Sequence, residues 1–122
     1  MQNELYRISD VQQEGNQLTC RVAYDATHPI FAGHFPQQPV VPGVCTMAMI
    51  KDLLEQALGK KLLLRSTGQV KFLRLILPDV TPVAAISWQE TDKGYSVTAG
   101  LKDEGVDLFK MNAVFEAIAA HP

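Results

Sequence analysis

Residues 25–43 constrain the fold more than any other stretch, because they carry four prolines (Pro29, Pro36, Pro39, Pro42) and two glycines (Gly33, Gly43). Proline fixes φ and removes a backbone donor, so regular helix is denied to the whole stretch. The same residues include Ile30, Phe31, Phe35, Val40 and Val41. A solvated linker has no use for so many large apolar groups, and the stretch is therefore expected as an ordered loop packed on a core. Directly after Pro42-Gly43 comes VCTMAMIKDLLEQAL, free of glycine and proline and rich in Leu, Met and Ala, followed by Gly59. That composition predicts a helix closed by a glycine C-cap. Residues 44–50 are apolar nearly all round, and charge enters only at Lys51, Asp52 and Glu55. A helix end apolar on every side is expected to be buried.

The flanks read as strands. Residues 5–13 alternate loosely, Glu14-Gly15-Asn16 marks a turn, and 18–24 alternate again, which predicts a hairpin. Downstream, 62–64, 69–77, 82–90, 95–102 and 106–117 are strand-like, with Asp92-Lys93-Gly94 and Asp103-Glu104-Gly105 as hairpin loops. The expected order is a hairpin, a proline-rich loop, one long buried helix and an antiparallel meander of four strands. That is an α+β architecture, a sheet wrapped around one central helix. At 122 residues it forms a single domain, 1–122.

Hydrophobic residues make up 47% of the chain, too many for a disordered segment. The 11 basic and 13 acidic side chains are mixed along the sequence, which leaves no electrostatic footprint for nucleic acid or an anionic membrane. No apolar run reaches the ~20 residues of a bilayer span. The opening MQNELYRISD lacks the basic and apolar blocks of a signal peptide, so the chain reads as cytoplasmic. Cys20 and Cys45 have no metal-ligand spacing and are expected as thiols. No metal, flavin or nucleotide motif is present, and no cofactor is expected.

The block GHFPQQPVVPGV resembles the HFPxxPxxPG signature of the 3-hydroxyacyl-acyl-carrier-protein dehydratases, the FabZ/FabA group, through Gly33, His34, Phe35, Pro36, Pro39, Pro42, Gly43 and Val44. VKFLRLILPD resembles the group's KFxRPVxPGD strand through Lys71, Phe72, Arg74, Leu77-Pro78 and Asp79, so the likeness runs over roughly residues 17–117. The resemblance implies the hotdog fold and an acyl thioester, on acyl carrier protein or CoA, as substrate. It implies a homodimer or higher homo-oligomer, with a hetero-oligomer containing an active dehydratase as the alternative assembly.

The chemistry is assigned through that likeness. A neutral imidazole takes a proton near physiological pH, and in the resembled group the histidine matching His34 abstracts the α-proton. Backbone N–H groups at the helix start, here Gly43 and Val44, hold the thioester carbonyl; unpaired N–H donors and the helix dipole suit a developing enolate oxygen. The alternative for His34 is a structural histidine hydrogen-bonded in its loop. His28 reads as a surface or packing residue and His121 as a frayed end.

The resembled group places an acid fourteen positions after its histidine, on the helix, and here that position is Ala48. Alanine cannot donate a proton to a leaving hydroxyl. Asp52 and Glu55 lie about one and two turns further along and read as a solvated helix end. Cys45, in the first turn, is a packing residue or a thiol activated by the dipole. Phe31, Phe35, Met47, Met49, Leu54, Phe72 and Leu75 read as core, partly shared with an acyl tunnel that Pro42 and Ala48 also line. Lys71 and Arg74 either attract the phosphopantetheine arm and an acidic carrier protein or are ordinary surface charges. The function expected is that of a dehydratase-like protein in fatty-acid, lipid or polyene synthesis. Alternatives are a catalytically weak or inactive partner subunit and a hotdog thioesterase.

Overall fold

A computed structural model describes residues 4–33 and 38–118. A hairpin of β1 (Tyr6–Glu14) and β2 (Gln17–Tyr24) leads into a short α1 (Ile30–Gly33) and the long α2 (Gly43–Leu58). Four strands follow, β3 (Leu62–Phe72), β4 (Val83–Thr91), β5 (Gly94–Asp103) and β6 (Val106–Ala117). They build one six-stranded sheet in the order β1-β2-β4-β5-β6-β3, antiparallel at every pairing.

Strand alternation decides which face is dry. Leu18, Cys20 and Val22 on β2, Ala84, Ile86 and Trp88 on β4, and Tyr95, Val97, Ala99 and Leu101 on β5 are all buried. Against that face α2 lays Thr46, Met49, Ile50, Leu53 and Leu54, the i, i+3, i+4, i+7 spacing of one helical stripe. Gly59 ends the helix at φ 67, with its N–H donating to the Glu55 carbonyl, a left-handed cap that a residue without Cβ adopts freely.

The structure departs from the sequence-based expectations at four places. Segments 62–64 and 69–77 are not two strands: 62–72 run as one, with register irregularities at Leu64/Ser66 and Thr67/Val70. This strand pairs with β6 at the sheet edge, so the meander has three strands and not four. Its polar middle, residues 65–69, is exposed, which an edge strand tolerates. A turn of helix does form inside the proline-rich stretch, directly after Pro29, because a proline in the first turn forfeits no hydrogen bond.

The helix start is buried on one side only: Thr46, Met49 and Ile50 are buried, whereas Val44 is 75% exposed and Ala48 is exposed as well. Phe72 and Leu75, expected in the core, are 50% and 65% exposed. These apolar groups lie together with exposed Leu63, Leu64 and Leu73 along β3 and the segment after it. The opposite edge differs: β1 is exposed and polar from Ser9 to Glu14, apart from Val11. It is kinked by a register shift between Ser9 and Gln12, where Asp10 takes φ 53.

Candidate active site

The entry to α2 is held by backbone geometry. The Val41 N–H donates to the Ile76 carbonyl at 2.7 Å, tying the chain just before the helix to the segment that follows β3. Pro42 is the N-cap, extended at φ −61 and ψ 142, and its side chain offers no capping oxygen. The Pro42 carbonyl accepts from the Cys45 and Thr46 N–H groups at 3.0 and 3.3 Å. For the N–H groups of Gly43 and Val44 there is no acceptor among the described residues. Two donors without an acceptor among the described residues, at the positive end of a sixteen-residue helix, suit an oxyanion.

Phe72, at the end of β3, forms a wall of this site. A Cβ built on Gly43 would stand 2.7 Å from Phe72 Cζ, so only glycine lets the ring lie this close to the helix start. The ring is braced from behind by Phe109 at a centroid distance of 5.0 Å, tilted by 45°. Such pairing adds modestly to the area it buries.

The exposed flank of α2 carries Val44, Ala48 and Asp52, one turn apart each. The Asp52 Oδ2 accepts from the Tyr6 hydroxyl at 3.5 Å. Glu55 is committed elsewhere, since its Oε2 accepts from the Leu62 N–H at 2.8 Å and pairs with Lys51 Nζ at 3.4 Å. These contacts, the Leu62 N–H foremost, pull the Glu55 carboxyl below its usual range. It is a structural acceptor, not a proton donor waiting at a site. Of the two readings of Cys45, packing fits the structure: it lies against the core, and desolvation raises its thiol pKa, the opposite of activation. Both cysteines are free.

Tyr6, a residue without a sequence motif, borders the same flank through its bond to Asp52, and Tyr24 is its strand partner across β1 and β2. Burial pushes the Tyr6 phenol up to about 12, assisted by Asp52, and pushes Tyr24 upward too, assisted by Tyr6 and Cys45. The Tyr24 hydroxyl is buried with no hydrogen-bond partner among the described residues. Sequence patterning missed both, because each sits in an ordinary alternating strand at the end of its run.

The other expected residues fall as follows. Phe31 on α1 is 4% exposed and belongs to the core with Met49 and Leu54. Pro42 is half-buried at the N-cap, and Lys71 and Arg74 are exposed. Lys71 pairs with Lys110 in the ladder of β3 and β6, and the Arg74 N–H donates to the Leu108 carbonyl at 3.2 Å. His28 Nδ1 accepts from the Ile30 N–H at 3.1 Å, a structural role at the start of α1. His34, Phe35, Pro36 and Gln37 in the loop, and His121, lie outside the described residues. The structure thus joins Gly43, Val44 and Phe72 in one place, with Ala48 a turn further along the exposed face. A trough of about 490 Å³ lies on the opposite face of the sheet, lined by Thr19, Ala85, Ser87, Thr98, Gly100 and Asn112. Among the described residues its ion pairs join Lys102 and Lys110 to Asp107. The helix start therefore offers the stronger chemistry.

A family model described as ApeI-like, the ApeI dehydratase, matches residues 10–107. A 3-hydroxyacyl-[acyl-carrier-protein] dehydratase FabZ of Histophilus somni is 42% identical over 53 residues, 43% of this chain and 32% of that protein. FabZ of Oceanobacillus iheyensis is 30% identical over 73 residues, covering 54% and 52% of the two chains. The chain thus spans about a third to a half of the curated relatives it matches. In fold it is similar to the dehydratase heterocomplex ApeI:P of Xenorhabdus doucetiae, with TM-score 0.77 and 21% identity over 91% of this chain and 97% of that one. A hypothetical thioesterase of Streptococcus pneumoniae solved with coenzyme A matches at TM-score 0.69 and 9% identity, over 96% and 91%. The fold is the hotdog fold that the sequence motif implied.

Proposed function

The chain belongs to the ApeI-like dehydratase family, and on that premise we propose that it is a dehydratase-like protein acting in the cytoplasm on 3-hydroxyacyl thioesters carried by acyl carrier protein or CoA. The observation that carries this reading is the open start of α2. The Gly43 and Val44 N–H groups await an acceptor there under the Phe72 ring. The thioester carbonyl accepts from those donors, and charge developing on its oxygen during enolisation strengthens both bonds. His34 takes the proton from the carbon next to the carbonyl, the double bond forms, the C3–O bond breaks, and the proton held by His34 passes through solvent to the departing oxygen, so that water leaves and the imidazole is neutral again. Phe31, Phe72 and Pro42 border the acyl chain, and Arg74 meets the phosphopantetheine phosphate.

The exposed apolar row along β3 supports an assembly through that edge, a homodimer or a pair with a related hotdog subunit. Ala48 and the resemblance to a chain of a heterocomplex favour a second reading, in which this chain is the weak or inactive partner of an active dehydratase. A thioesterase is less well supported, because Ala48 provides no carboxylate to activate water. One set of assays separates the three. Hydration of a crotonyl thioester, dehydration of a 3-hydroxybutyryl thioester and hydrolysis of both are measured for wild type and His34→Ala. Hydration and dehydration lost together in the variant support the dehydratase; hydrolysis alone replaces it with the thioesterase; no turnover of either kind leaves the partner reading.

A further inference from the structure

The lysine of the second motif, Lys71, does not face the helix start. Phe72 beside it lies against Gly43, and alternation along β3 turns Lys71 to the other side of the sheet, where its ladder partner is Lys110. Like charges directly opposite each other, with Cβ atoms about 5 Å apart, weaken a sheet. Lys110 shares its carboxylate, since Asp107 stands 3.4 Å from Lys110 Nζ and 3.9 Å from Lys102 Nζ. Lys71 has no carboxylate partner among the described residues. Positive charge is thus left unanswered here, on a chain whose net charge is −2.

These lysines stand at one end of the outer trough. A single cross-strand row runs from Lys71 through Lys110, Gly100 and Ala85 to Thr19. From Lys110 to Thr19 it crosses three strand spacings, ~14 Å, over a floor made of a glycine, a methyl group and a short threonine. The volume of about 490 Å³ above that floor falls within the range of small-molecule sites. Beyond Lys102 the surface turns acidic, with Asp79, Asp103 and Glu104 around a neighbouring hollow, so an anion entering the trough is held at the Lys110 end.

We propose that the trough is a second binding site, for a single-chain amphiphile whose carboxylate or phosphate sits between Lys71 and Lys110 while its alkyl tail crosses Gly100 and Ala85 toward Thr19. The head relieves the repulsion of the opposed lysines, and the tail removes apolar floor from water. The site lies on the far side of the sheet from Gly43 and Val44 and does not depend on the thioester reading.

Amide resonances of isotope-labelled protein report both where a probe binds and how tightly. Octanoate and octyl phosphate are titrated into wild type, with butyrate and octyltrimethylammonium as controls. The amides of Ala85, Gly100 and Lys110 should shift with the octyl anions, and the tighter of the two identifies the head. Butyrate, four methylenes shorter, should bind at least about tenfold more weakly, and the cation should leave these amides unmoved. Lys71→Gln combined with Lys110→Gln should weaken the octyl anions about fivefold. Ala85→Leu, which fills the floor and keeps both lysines, should weaken them by a similar factor. Both changes lie on the exposed face, and unchanged core resonances confirm folding. Shifts confined to Gly43 and Val44, equal binding of the octyl cation, or full affinity in the folded lysine variant overturns the proposal. A fall in mass by light scattering in Ala85→Leu overturns it too, because a second copy would then be what covers this face.

Discussion

Replacing Ala48 by glutamate restores a carboxyl to the position where the sequence motif expects an acid. Ala48 is exposed on α2, so the new side chain meets no packing obstacle within the protomer. Alanine and glutamate differ in helix propensity by less than ~0.5 kcal/mol. A like-charged neighbour at i+4, Asp52, removes about 0.2–0.5 kcal/mol and raises the pKa of the new carboxyl toward the protonated form a general acid needs. The expected loss of stability is therefore under about 1 kcal/mol, or a few degrees in Tm for a domain of this size. A positioned acid contributes about 10²–10⁴ in rate, and we expect dehydration of a 3-hydroxybutyryl thioester to rise at least about tenfold in Ala48→Glu. The assay follows enoyl formation by absorbance for wild type and variant at equal concentration, with circular dichroism melts confirming that both fold. A folded variant with no gain over an inactive wild type would mean that the pocket, and not only the acid, departs from a working dehydratase. A wild type already as fast as ordinary members of the family would refute the reasoning from Ala48 outright.

His34→Ala should abolish thioester chemistry with Tm within a few degrees, whereas His28→Ala should keep activity and lose roughly 1 kcal/mol, the worth of its bond from the Ile30 N–H; equal activity losses would mean the wrong histidine is assigned. Glu55→Ala should destabilise by about 1 kcal/mol by orphaning the Leu62 N–H. Because the folded Glu55 pKa is lowered from 4.5, its contribution is present above that pH and fades as pH falls through the folded value. Urea melts from pH 6 to 3 should accordingly bring variant and wild type together at the acid end, and a constant gap would contradict this. Light scattering should give at least twice 13.5 kDa, and Leu64→Lys on the exposed β3 edge should return the mass to one chain; an unchanged mass would place the interface elsewhere.

Much of the fold was readable because local signals agreed with the global arrangement. The Gly15 turn, the glycine-ended loops near 94 and 105, and the unbroken helix closed by Gly59 each name their own element. What local patterning could not reveal was partner choice. Nothing within residues 62–72 indicates that the strand pairs with β6, about forty residues on. Hydropathy likewise does not tell a residue buried in its own core from one left at the surface, which is why Val44, Phe72 and Leu75 were misread. Gly43 and Val44 entered as candidate donors through the family resemblance, and the structure sets them at a helix start whose N-cap, Pro42, has no side-chain capping bond. The Tyr6–Tyr24 pair was not legible, because it exists only through strand register.

The unlike edges of the sheet also bear on how association can end. If β3 pairs with β3 of a second chain, both adhesive edges are consumed in one two-fold event, and what remains outward on either side is the kinked, polar β1. Growth would then stop at two, since head-to-tail stacking would require β1 to accept a strand where its bulge at Asp10 breaks the ladder. Straightening that bulge, rather than adding hydrophobic surface, is the change that would turn a self-limiting pair into a fibre.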